Sequence, residues 1–88
     1  MSFLVAKDGK NTYSVLNLSK VAEIVVTNTE LRIWFGFREE SDINYKFPKK
    51  LKDDQVKRLA QHLARLATVN AHENLDEIVE QISKMGDS

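Results

Sequence analysis

Two histidines and a scatter of carboxylates are the residues here that catalysis or metal binding would use, and their spacing suits neither. His62 and His72 stand ten positions apart, whereas two ligands on one helix face need to lie about three or four apart. There is no HExxH run and no cysteine. That removes sulfur-ligated zinc, thiol catalysis and disulfides together. Glu73 beside His72 is one polar side chain among several in a connector, and both histidines read as solvated loop or helix-edge residues. Gly9, Gly36 and Gly86 are too dispersed to build a loop that cradles phosphate. Glu39, Glu40, Ser41 and Asp42 lack the spacing of an EF-hand loop and read as a solvated hairpin tip. No catalytic residue, metal site or cofactor is expected. The chain does not read as an enzyme.

Recognition chemistry is better represented. From Leu31 to Phe37, apolar Leu31, Ile33, Phe35 and Phe37 alternate with Arg32, Trp34, Gly36 and Arg38. That period of two predicts a half-buried strand whose second face carries the only tryptophan between two arginines. An outward Trp and Arg pair is the enriched composition of protein-interface hot spots. The same face, with Lys46, Lys49 and Lys50 beyond it, would also suit single-stranded nucleic acid, Trp34 stacking a base while Arg32, Arg38 and the lysines hold phosphates. A third arrangement has Trp34 covered by a helix. Gly36 on this face marks a bend or a close approach.

The net charge is zero, 13 basic against 13 acidic side chains, but the signs are segregated. Residues 43–67 hold seven basic side chains (Lys46, Lys49, Lys50, Lys52, Lys57, Arg58, Arg65) and two acidic ones. Residues 68–88 hold five acidic side chains and one basic. A basic middle attracts phosphate and an acidic end attracts a basic partner. The plainer expectation is that these faces pair with each other or are solvated. Zero net charge argues against a dedicated nucleic-acid binder.

These residues are positioned by strands in the first half and helices in the second. Ser2–Lys7 reads as a strand, Asp8-Gly9 as a hairpin turn, and Tyr13–Leu18 as its return. Glu23–Thr27 is rich in β-branched residues, Thr27-Asn28-Thr29-Glu30 supplies turn chemistry, and Ile43, Tyr45 and Phe47 alternate up to Pro48. From Leu51 the period becomes helical. Val56, Leu59, Ala60, Leu63, Leu66 and Ala67 form one stripe, with Asp53 the expected N-cap. Leu75, Ile78, Val79, Ile82 and Met85 form another, with Asn74 and Glu77 in a capping-box arrangement and Gly86 at the C′ position. At about 100° per residue the two stripes are offset by roughly 100°, so a break through 70–74 is predicted.

The expected fold is α+β: one antiparallel meander of four to five strands, then two C-terminal helices, the first packed on one face of the sheet. Its core would be Leu31, Ile33, Phe35, Phe37, Ile43, Tyr45 and Phe47. At 88 residues and 42% hydrophobic, residues 1–85 are read as one domain and 86–88 as a tail. No apolar run is long enough to span a membrane. The start lacks the basic and apolar regions of a secretory signal. A reducing cytoplasm is the expected compartment. The functional expectation is a small non-enzymatic interaction module, adaptor or regulator, working as a homodimer. Its partner-binding residues would be Trp34, Arg32 and Arg38, with Ile78 and Ile82 on a second helix that has yet to find a surface.

Overall fold

The computed structural model describes residues 2–7 and 10–85. The Asp8-Gly9 turn, the C′ role of Gly86 and the 86–88 tail lie outside the described residues. Strands β1 (Phe3–Lys7), β2 (Tyr13–Asn17), β3 (Glu23–Val26), β4 (Glu30–Trp34) and β5 (Ile43–Lys46) are followed by helix α1 (Asp53–Leu66), strand β6 (His72–Asn74) and helix α2 (Leu75–Lys84). The architecture is α+β. The strands form two three-stranded sheets, ordered β2-β1-β6 and β3-β4-β5.

The expected continuous meander is therefore divided, and its division has a local cause. Asn17 Oδ1 accepts the Ser19 amide (3.0 Å) and hydroxyl (2.7 Å), which caps a 3₁₀ turn over Leu18–Lys20. That turn carries the chain from one sheet to the other. Strand β3 then pairs with β4, and β4 with β5, all antiparallel. The Thr27-Asn28-Thr29-Glu30 turn forms as expected, with the Thr27 amide donating to the Glu30 carbonyl at 2.9 Å.

The first sheet is closed by a pairing that short-loop reasoning excludes. Strand β6 runs parallel to β1, with Phe3 opposite His72 and Val5 opposite Asn74. The crossover between them contains the whole second sheet and α1, so it easily meets the length a parallel connection requires. Ser2 and Phe3 are fastened at the same place. The Phe3 amide donates to Ala71 (2.9 Å), and the Ser2 hydroxyl donates to the Leu66 carbonyl (2.6 Å) and lies against that of Val69. A buried serine thereby adds a donor to the last carbonyl of α1, which also accepts the Val69 amide at 3.4 Å. The segment expected to be a polar break is a strand.

The two helices are separate, as their offset stripes predict. Helix α1 begins at Asp53 with Lys52, not Asp53, as N-cap; Asp53 and Asp54 occupy the first turn, where a carboxylate meets the positive helix end. Asn74 caps α2 by accepting the Asp76 amide at 2.9 Å. Buried Gln55 joins the helices. Its Oε1 accepts the Lys52 amide (2.8 Å), and its Nε2 donates to the carbonyls of Ser83 (3.1 Å) and Met85 (2.9 Å) at the end of α2. Helix α2 contacts α1, β1 and β6. The core is one cluster drawing Leu4, Leu31, Ile33, Leu51, Leu59 and Leu75, all at most 1% exposed, from both sheets and both helices.

Candidate interaction surface

Alternation in the β3-β4-β5 sheet sends Ile24, Val26, Leu31, Ile33, Ile43 and Tyr45 toward the core. It leaves Glu23, Val25, Glu30, Arg32, Trp34, Asn44 and Lys46 on the other face. The register places Glu23 opposite Trp34, Asn44 opposite Arg32 and Lys46 opposite Glu30. Arg32 does not offer a free cation there. Its Nε and Nη2 both reach Glu30 Oε1, at 2.7 and 2.6 Å. Trp34 is half-buried in the plane of this face, and α2 lies against β1, β6 and α1.

Strand β4 ends at Trp34, earlier than the alternation predicts. The cause is Asp42. Its amide donates to the Ile33 carbonyl (2.9 Å), and its carboxylate accepts the Phe35 amide (2.8 Å) and Arg38 Nη1 (3.1 Å). The Phe35 amide is thus satisfied by a side chain in place of a strand partner, and residues 35–42 leave the sheet as a loop. Phe35 and Phe37, expected in the core, are exposed; Phe37 is entirely so. At Gly36 a Cβ would meet open space, so this glycine marks the end of the strand and no close approach. The result is an aromatic tip: half-buried Trp34, then Phe35 and Phe37 in solvent.

The remaining residues singled out by type fall elsewhere. Lys46, Lys49 and Lys50 are exposed along β5 and the link to α1. Arg38 is exposed and paired with Asp42. Ile78 and Ile82 are each 6% exposed and belong to the core. They present no surface to a partner, because α2 spends its apolar stripe on its own chain. His62 Nε2 lies 2.9 Å from Glu73 Oε1, tying α1 to β6 and the basic middle to the acidic end. His72 stacks at 5.3 Å on Phe3. Among the described residues no group of three or more His, Cys, Asp or Glu is placed to hold a metal ion. The aromatic tip is the feature that alternation alone conceals, and its signal in the sequence is Phe35-Gly36-Phe37 followed, after Arg38, by the acidic run Glu39 to Asp42.

Tyr45 donates a hydrogen bond to Asp76 at the start of α2. Burial, then the Asp76 carboxylate, raises the phenol well above its ordinary value. The unfolded chain therefore releases this proton from about pH 10 upward while the folded chain keeps it. Stability is full below that pH and falls as pH climbs toward the higher folded value. Urea midpoints followed from about pH 8 to about pH 11 should show a steeper alkaline decline for the wild type than for Tyr45→Phe; equal slopes would remove this group as the cause.

Comparison of the chain with protein-family models, with curated proteins and with solved structures finds no match. The described residues define a small α+β fold with two three-stranded sheets and two helices. Among the described residues no helix is long and apolar enough to cross a membrane.

Proposed function

We propose that this chain is a small non-enzymatic interaction module, an adaptor or regulator, that works as a cytoplasmic homodimer and docks a protein partner through Trp34, Phe35 and Phe37. The carrying observation is Phe37, fully exposed two residues from a second exposed phenylalanine and three from the tryptophan. A large aromatic side chain held in water on a loop anchored by Asp42 gains nothing for the fold. It gains on the order of 2 kcal/mol or more when it fills a partner's pocket. The surrounding charges favour protein over nucleic acid. The Arg32 fork is occupied by Glu30, and Glu23 faces Trp34 across the register, so carboxylates stand where phosphates would need to lie.

A photo-activatable phenylalanine analogue at position 37 tests this in the cells that make the protein. One discrete protein adduct is expected, absent when the same probe replaces exposed Thr68. Equal labelling from both positions, or none from position 37, overturns the reading. Single-stranded oligonucleotide titrated at low salt should leave Trp34 emission unchanged. Saturable quenching that disappears as salt is raised would transfer the surface to nucleic acid.

A further inference from the structure

Strand β3 is an edge of its sheet. The ladder fixes which of its main-chain groups are free. The Thr27 amide bonds to Glu30 in β4, while Ile33, the partner of Ile24, gives its carbonyl to Asp42 on the β5 side. By alternation Ile24 and Val26 direct their N–H and C=O groups away from β4, toward solvent. Beside this edge runs an apolar groove of about 250 Å³ between β3 and α1. Its walls include Val21, Ile24 and Val26 on one side and Ala60, Ala64 and Ala67 on the other. The three alanines are exposed and follow helical spacing along α1 as far as its C-cap, Ala67, next to the helix's buried leucines. Free main-chain groups and an apolar trough thus meet along one line. An occupant must be extended polypeptide with apolar side chains at alternate positions.

We infer that the occupant is β3 of a second copy, running antiparallel, so that the two β3-β4-β5 sheets join through a twofold axis at Val25. This rests on the homodimeric part of the reading above. In that register Ile24 of each copy stands opposite Val26 of the other, which pairs the outward-directed main-chain groups. Val25 meets its own counterpart on the outer face, and the inner-face Ile24 and Val26 side chains lie over the alanine groove. Charge favours self-pairing at this edge over self-pairing at the other. Glu23 falls opposite Thr27 of the other copy and not opposite its own counterpart, so no like charges oppose each other. The other edge of the same sheet, β5, carries Lys46 and is followed by Pro48, Lys49 and Lys50. Two such edges would repel each other, and proline and lysine are the usual guards against edge pairing. Between Val21 and Val26 no lysine, arginine or proline stands guard. The twofold, perpendicular to the sheet, also sets both Trp34 faces on one side, so the assembly presents two copies of the partner surface.

Sedimentation velocity of the full chain across a concentration series, with amide hydrogen exchange at low and high concentration, tests the assignment. The wild type should dimerise, with the Ile24 and Val26 amides exchanging slowly only at high concentration. Ala64→Glu puts a charge into the groove from an exposed helix position, and Val25→Lys puts like charges together at the axis. Each should weaken self-association at least tenfold with an unchanged far-ultraviolet spectrum, while Phe37→Ser dimerises normally. A monomeric wild type overturns the assignment, as does dimerisation indifferent to both edge variants or protection that appears on β2 instead. If Phe37→Ser alone breaks the dimer, the aromatic tip is the self-association surface and the edge is not. An adduct at position 37 to a different protein would still support the module when the edge fails.

Discussion

Replacing Ile82 with aspartate is expected to remove most or all of the chain's stability against unfolding. Ile82 is 6% exposed on α2 and belongs to the single core cluster. Its removal forfeits about 1.5–3 kcal/mol of apolar burial. An unpaired carboxylate in its place costs several kcal/mol more, or must take up a proton to stay. A domain of this size holds roughly 4–13 kcal/mol in all, at about 0.05–0.15 kcal/mol per residue. The substitution thus removes a large share of the total, up to all of it. Gln81→Asp, one residue away and exposed, should stay within about 0.5 kcal/mol of wild type. Urea denaturation followed by circular dichroism compares the two. Similar transitions in both would mean that α2 is not docked on its own chain, and would return Ile78 and Ile82 to the list of partner-facing residues.

The second large effect is a contrast between Leu31 and Phe37. Both occupy the same phase of one alternating run, so periodicity alone assigns them equal burial. The structure separates them completely: Leu31 is fully buried between Val26 and Tyr45 in the register, and Phe37 is fully exposed. Leu31→Ala should cost about 2–5 kcal/mol, the transfer of the lost atoms plus the cavity they leave. Phe37→Ala should change stability by less than about 0.5 kcal/mol. The same variant should remove the partner adduct, because the side chain serves the interface and not the core. Thermal and urea denaturation measure the first half of the contrast. A Phe37→Ala chain destabilised as much as Leu31→Ala would mean that β4 continues through Phe37 and that the aromatic tip does not exist.

Where reach was short, the sequence was legible. The change from period two to helical period at Leu51, the two helices with a break near residue 70, the Asn74 cap and the Thr27 turn all depend on residues within a few positions of one another. Local sterics and capping hydrogen bonds act over that distance, and they leave their mark in residue type and spacing. Site residues were legible in kind only. Trp34 and Arg32 share a face, as alternation requires, but nothing in their spacing says that Glu30 would take the Arg32 fork. Nor does it say that Asp42 would end the strand at Trp34 by capturing the Phe35 amide.

The sequence by itself determined the α+β class, the two helices with their apolar stripes, and most of the strands. The tertiary structure alone decided which faces met. Ser2 reaches Leu66 across 64 positions, and β6 finds β1 across the entire second sheet and α1. Such pairings are chosen by which buried donors and acceptors remain unsatisfied and which apolar stripes remain uncovered once the local elements exist. No periodicity records them. The same competition sends Ile78 and Ile82 inward and leaves Phe37 outside. A residue's type states what it can contribute. Its neighbours in space decide whether the contribution goes to the core or to a partner.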